Sequence, residues 1–318
     1  MAAALSPSPA PWQLSLARLE GALPFLSESV AQCLAQRSLR RLWAVHIRDF
    51  TFENIGLEHN PGVEASELMR SWYADERRDF LSWVSRRGPP PLARAAGQAL
   101  VAKDQTESFA SAYDDAERAL ARLDALMPSS DPVATLADLV DQLRSDEIAF
   151  LEVGTEIREF HGHAFDRPAP KGAAWAASLA VAMRPQLFSL GAAPLALVAL
   201  APRMVFRAEP EDPVPAILRA ALGQAVQQLR ADLGEIRQGL ALAEERLSHL
   251  YASSRATDAW CLLVGLGPLT RAELARALGV TKRTASQSAQ ALIKAGLATL
   301  RPGDGALQCL DGPKRLMA

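Results

Sequence analysis

Apolar residues recur with helical spacing along most of the chain, and the breaks in that recurrence divide it into segments. The spacing predicts helices over Ser15 to Leu42, Glu64 to Arg86, Pro91 to Val101, Thr106 to Leu126 and Pro132 to Val153. The stretches PGVE, RRGPPP and MPSSDP separate them, because proline and glycine interrupt the helical hydrogen-bond ladder. His161 to Pro170 (HGHAFDRPAP) is expected to be a proline-rich joint, and Trp175 to Phe206 an apolar core layer. Within that layer Leu187 to Phe206 is nearly long enough to cross a bilayer, but Pro194 and Pro202 interrupt it, Arg184 and Arg203 bracket it, and it lacks an aromatic belt. A buried core segment in a soluble protein is therefore expected.

A second joint, Ala208 to Pro215 (AEPEDPVP), leads into the sharpest periodicity of the sequence. Leu222, Val226, Leu229, Leu233, Ile236, Leu240, Ala243, Leu247 and Leu250 follow one another in alternating steps of four and three. That is a heptad stripe, and with Leu222 at a d position Asp232 and Arg237 take g and e′ positions, where charges pair between parallel helices. Leu222, Val226, Leu229, Leu233, Ile236, Leu240, Leu247 and Leu250 are thus candidate dimerisation residues. The same stripe would also serve to pack on the chain's own helices, and Gly223, Gly234 and Gly239 would weaken a free-standing coil by about 1 kcal/mol each.

Beyond Thr257 the pattern shortens. Ala259 to Leu266 reads as a helix ended by Gly267-Pro268; Thr270 and Glu273 form a capping box before Arg271 to Leu278; Gly279 closes that helix, and Thr281 caps the next. In Lys282 to Ala295 the residues Ala285, Ala289, Leu292 and Ile293 share one stripe. Opposite them stand Lys282, Arg283, Ser286, Gln287, Gln290 and Lys294, donors suited to phosphates and base edges in a major groove. Leu297 to Leu300 and Ala306 to Leu310 flank Pro302-Gly303-Asp304-Gly305, which predicts a hairpin wing with Arg301 beside its tip. The unit is a winged helix-turn-helix, and its candidate DNA-binding residues are Thr281, Lys282, Arg283, Thr284, Ser286, Gln287, Gln290, Lys294, Arg271 and Arg301.

The motifs ELARALGV, the Thr281-capped KRTASQSAQALIKAGL and the short wing resemble the winged helices of MarR-like regulators and those that end Fic-type proteins. More broadly, the SSRATDAW lead-in behind a long helix resembles a bacterial group that joins a helical domain of unknown function to such a winged helix. The first resemblance implies DNA binding. Fic proteins transfer a nucleotide group to hydroxyls with a His-Pro-Phe motif and a following Gly-Asn-Gly-Arg. Here the nearest stretch, Phe160 to Arg167 (FHGHAFDR), has no such diphosphate cradle, while Gly56 to Pro61 (GLEHNP) echoes an early Glu-Gly-Asn-Pro of that class.

Composition supports a mostly helical protein: apolar residues make up 49% of the 318, aromatics 6%, and alanine and leucine dominate. The net charge of -2 hides an asymmetry, since residues 253–318 carry nine Lys/Arg against four Asp/Glu and the remainder 25 against 32. A basic module on an acidic body suits a nucleic-acid partner. Cys33, Cys261 and Cys309 are too few and too scattered for a disulfide framework or a zinc site, which suits a cytoplasmic location, and the Ala/Ser/Pro-rich start lacks a signal-peptide pattern. No cofactor is expected. His161, His163 and Asp166 admit a metal reading but at a spacing that is not diagnostic. Trp43, His46, Arg48, Asp49, Phe50, Phe52 and Glu53 admit an effector pocket or a core patch with a charged rim.

The expected organisation is a loose tail (1–11), a helical domain that senses or binds protein (12–207), a long helix (208–252) and a winged helix-turn-helix with a small hairpin (253–318). The expected function is sequence-specific binding of double-stranded DNA by a homodimeric transcriptional regulator, with a small-molecule or protein effector at the N-terminal domain. The alternative is an adaptor or Fic-derived protein that turns the winged helix toward a protein.

Overall fold

The computed structural model describes residues 11–48, 65–107, 113–145, 155–160, 163–168, 172–190, 200–206, 213–251 and 254–310. The described chain is mostly helical. Helix α1 (Pro11–Ala22) and α2 (Glu28–Arg48) are separated by a 3₁₀ turn over Leu23–Phe25, so the helix expected over Ser15 to Leu42 is broken. The cause is Pro24, which cannot donate to the ladder of a continuous helix. Helices α3 (Ala65–Arg87) and α4 (Pro90–Ala102) lie within a residue of their expected places, whereas α5 (Asp114–Ala125) starts later than the helix expected from Thr106, where Thr106 and Glu107 are not helical, and α6 (Pro132–Arg144) ends at Arg144 rather than running on toward Val153. Asp131 caps α6 by accepting from the amides of Val133 and Ala134 at 2.9 and 3.1 Å.

The joint expected over His161 to Pro170 is in part regular structure. Strands β1 (Thr155–Phe160) and β2 (His163–Pro168) pair antiparallel, with Phe160 opposite His163 and Thr155 opposite Pro168. The apolar layer that follows contains α7 (Ala173–Ala182), every residue of which is buried, a 3₁₀ turn over Pro185–Phe188, and α8 (Arg203–Phe206). Helix α7 packs on α5, α6, α2 and α8. Among the described residues no helix is long and apolar enough to cross a membrane.

Helix α9 (Val214–Leu247) is the longest, at 34 residues, and its stripe is filled from within the chain. Leu222 and Val226 are fully buried, and Leu229, Leu233, Ile236, Leu240 and Leu247 are at most 7% exposed, under α1, α2, α6 and α10. The stripe is therefore consumed by intramolecular packing, and the dimer interface drawn there from the heptads has no exposed seam to use. Burying each such leucine stabilises the fold by about 1.5 to 3 kcal/mol. Gly239 belongs to the same packing, because a Cβ there would come within 2.7 Å of the Trp260 ring. The expected pairing of Asp232 with Arg237 is also replaced. Asp232 is fully buried, and it accepts from Arg41 Nε at 2.5 Å while lying 3.0 Å from Arg37 Nε, both on α2. A buried carboxylate requires such partners, since the cost of removing it from water is recovered only by close, well-directed charges.

The chain ends in α10 (Ala256–Leu266), α11 (Arg271–Leu278), α12 (Lys282–Lys294) and an antiparallel pair, β3 (Ala298–Leu300) with β4 (Leu307–Cys309). One contiguous apolar cluster runs from Leu16 of α1 to Leu307 of β4.

Candidate nucleic-acid interface

The geometry of residues 256–310 is set by short-range chemistry. Thr270 accepts from the Glu273 amide at 3.3 Å and Glu273 accepts from the Thr270 amide at 2.8 Å, so the first turn of α11 satisfies its own free donors. Gly279 ends the helix with φ +63°, in the left-handed region where glycine has no Cβ to strain. Thr281 then caps α12, accepting from the Thr284 amide at 3.2 Å. Two helices joined by so tight a turn cannot pack in parallel, and the buried side chains of each fix their crossing: Leu274 and Ala275 on α11, Ala285, Ser288, Ala289 and Leu292 on α12. Ser288 takes the place on this stripe that the sequence pattern had assigned to Ile293, which is only half-buried.

The β3–β4 hairpin continues from α12, with Ala298 opposite Cys309 and Leu300 opposite Leu307. A third segment joins it that sequence reasoning missed. Leu269, between α10 and α11, pairs with Leu307 through reciprocal backbone hydrogen bonds of 3.0 and 2.8 Å. A single bridging residue next to Pro268 leaves no alternating pattern to read. At the tip, Arg301 Nε donates to Asp304 Oδ1 at 3.0 Å, and the ion pair holds the Asp304 carboxyl down at about 2. Arg301, a candidate DNA-binding residue, is thus in an exposed pair with an acid three residues away.

The remaining candidate residues fall as follows. Lys282, Arg283, Gln287, Gln290 and Lys294 are exposed on the side of α12 away from its buried stripe, and Ser286 and Thr284 are half-buried at its edges. Thr281 is exposed but spends its hydroxyl on the cap, and Arg271 is exposed at the start of α11. Among the described residues no ion pair engages Arg271, Lys282, Arg283 or Lys294, whereas Arg255 is tied to Asp258 at 2.9 Å. Three of these unpaired cations, Lys282, Arg283 and Lys294, lie on α12 away from its buried stripe. No acid lies within α12, whose sequence is KRTASQSAQALIK.

These helices are not suspended from the body by a bare linker. Helix α10 lies on α2 and α9, and α11 lies on α4. The α4–α11 contact is polar: Lys103 Nζ is 2.7 Å from Glu273 Oε1, Arg276 Nε donates to Ala102 O at 3.0 Å, and Gln98 Nε2 donates to Ala277 O at 3.2 Å. Gln98 in turn accepts from Gln32 and Gln36 of α2 at 2.8 and 2.6 Å. Burial alone would raise the Glu273 pKa, but the hydrogen bonds from Lys103 and Thr270 outweigh it and hold the carboxyl below its ordinary value. At the far end of α12, Arg246 of α9 donates to Ala295 O at 3.1 Å.

The cysteines are free thiols. Cys33 of α2 points its sulfur at the Cys261 carbonyl of α10, 3.5 Å away, and burial raises both pKa values, that of Cys261 to about 12. They remain protonated and act as packing. Of the suspected effector cluster, Trp43 tilts against Phe80 with ring centroids 5.3 Å apart, as core aromatics do. The side chains of His46 and Arg48, residues Asp49, Phe50, Phe52 and Glu53, the GLEHNP stretch and the side chains of His161, His163 and Asp166 lie outside the described residues.

No family model and no curated protein matches this chain.

Proposed function

We propose that the protein binds double-stranded DNA as a transcriptional regulator, with residues 256–310 acting as a winged helix-turn-helix and α12 as the helix that enters the major groove. The observation that carries this reading is the outward face of α12, where Lys282, Arg283, Gln287, Gln290 and Lys294 stand exposed without an acid among them. Amides and guanidiniums are the groups that reach base edges bidentately, and ammonium groups reach phosphates. A protein-binding helix would be expected to offer apolar or aromatic anchors instead.

The wing carries no net charge, and its one arginine, Arg301, is paired with Asp304. Base readout therefore falls to α12, and backbone contacts to Arg271, Lys282 and Lys294. Since the α9 stripe is filled, any homodimer that reads a two-fold operator must join through another surface. Fluorescence anisotropy with labelled duplexes at stepped salt tests the proposal. Binding that weakens steeply and linearly in log salt is expected, and an absence of binding at low salt would refute it.

A further inference from the structure

The helix next to the helix-turn-helix holds a cation that the motif does not contain. Helix α4 runs antiparallel to α11, with Lys103 and Ala102 at its C-terminal end meeting Glu273 and Arg276, and Gln98 one turn earlier meeting Ala277 at the end of α11. Arg94 lies four residues before Gln98, hence on the same side of α4 and about 6 Å further along its axis. Extrapolated one turn beyond the Gln98–Ala277 contact, the antiparallel register directs that position toward the turn that follows α11, ahead of Lys282 and Arg283. Arg94 is exposed, and among the described residues no ion pair engages it.

The helix that carries it is favourable to an anion. Helix α4 (PPLARAAGQALVA) has no acid, and at the elbow before it the arginines at the end of α3 lie among acids, with Glu107 accepting from Ser85 Oγ at 2.9 Å. Arg87 is compensated by Glu117 at 2.7 Å. In a helix-turn-helix complex the strand backbone passes along the rim of the groove beside the turn, while base edges are reached from the inserted helix itself. A cation carried by a neighbouring helix at that rim meets phosphate.

We infer that Arg94 of α4 is a DNA phosphate contact that extends the binding surface of α12 onto the N-terminal helices. This rests on the DNA-binding reading above. The α4–α11 contacts make it a fixed contact rather than a trailing arm, because Lys103, Gln98 and Arg276 hold the two helices in one register. The contact adds affinity without adding sequence preference.

The test compares wild type, Arg94→Ala, Arg94→Lys and, as a charge-matched control, Arg219→Ala on the exposed side of α9. Each full-length chain is titrated against a preferred genomic duplex and a random duplex over about 50 to 200 mM salt. Arg94→Ala is expected to weaken binding about three- to tenfold, equally on both duplexes, and to reduce the slope of log affinity against log salt by about one. Arg94→Lys should keep the slope, Arg219→Ala should match wild type, and all four should melt alike. The inference is overturned if Arg94→Ala binds as wild type does, if its loss is confined to the preferred duplex, or if Arg219→Ala loses as much. A wild-type chain that binds neither duplex overturns the DNA reading and this inference together, whereas a binding wild type with an indifferent Arg94→Ala overturns this inference alone.

Discussion

Helices α9 and α12 are both amphipathic, and in both the sequence marks the apolar stripe clearly, yet the two stripes differ in what they reveal. On α12 the turn chemistry on either side, Gly279 and Thr281 before it and the β3 strand after it, fixes which neighbours the stripe must meet, because they are adjacent in the chain. On α9 the stripe meets α1, α2, α6 and α10, whose residues lie up to about two hundred positions away. Periodicity states that a face is buried and leaves open what buries it. A 4-3 stripe fits a second copy of the helix as well as it fits a bundle of unlike helices, and Leu233 looks the same in either. What decides between them is chemistry off the stripe, here the burial of Asp232 against Arg37 and Arg41.

The largest effect is expected where the contrast can be broken outright. Leu233 and Leu240 are each 7% exposed under the chain's own helices, so placing glutamates at both leaves two charges in an apolar contact with no partners, at several kcal/mol. The double variant should lose solubility or melt far below wild type, seen by thermal denaturation. Sedimentation that instead shows a well-folded monomer made from a wild-type dimer would return α9 to the role of an intermolecular seam.

Next in size is Asp232→Ala. It leaves the Arg37 and Arg41 guanidiniums, which are 23% and 31% exposed and so can partly hydrate, without their buried acceptor. A loss of about 2 to 4 kcal/mol follows, less than for a fully buried pair because water reaches the arginines. Chemical denaturation measures it. Arg237→Ala should cost under about 0.5 kcal/mol by the same measurement, since exposed surface changes away from specific contacts are nearly neutral. An equal cost for the two would mean that the heptad pairing of Asp232 with Arg237 operates after all.

The legibility of the chain follows the same division. Features made within a few residues were readable: the Thr270–Glu273 capping box, the left-handed Gly279, the Thr281 cap and the bounds of α11 and α12. Pro24 carries the signal that splits the first helix, but the apolar spacing runs through it and masks the break. The β1–β2 hairpin was hidden because its second strand ends at Pro168, within a segment whose prolines suggested a joint. Contacts made through tertiary structure were not readable at all. Nothing in the local sequence assigns Lys103 to Glu273, or Gln98 to Ala277, whereas the pairing of Arg301 with Asp304 spans only three positions and is visible in the spacing.

On α12 the opposite balance from α9 is expected, with large effects on binding and almost none on folding. Arg283 is exposed in the first turn of the helix, where a guanidinium can bridge the O6 and N7 acceptors of a guanine. Arg283→Ala should cost about 1 to 3 kcal/mol of DNA affinity and relax the preference at one base pair, while shifting stability by less than about 0.5 kcal/mol. Selection from a randomised duplex pool reads the preference. An equal loss on preferred and random duplexes would make it a phosphate contact like the one inferred for Arg94.

The smallest expected effect lies where the two regions touch. Glu273 loses solvent to α4, which by itself would raise its pKa, but the hydrogen bonds from Lys103 and Thr270 prevail and depress it below 4.5. A carboxyl whose folded pKa is depressed stabilises the fold fully above its unfolded value and loses that contribution as pH falls through the folded one. The Lys103–Glu273 bond is partly exposed, 27% at the lysine, so its worth is that of a screened pair, about 0.2 to 1 kcal/mol. Lys103→Met keeps most of the apolar stem and removes the charge. At pH 7 the variant should melt slightly below wild type, and the two should converge as pH falls through the depressed folded pKa of Glu273, where the carboxyl takes up its proton in both proteins. A gap that does not shrink as pH falls through that range would assign the loss to the packing of the lysine stem on α11, and the α4–α11 contact would then owe its register to Gln98 and Arg276, whose backbone acceptors do not titrate.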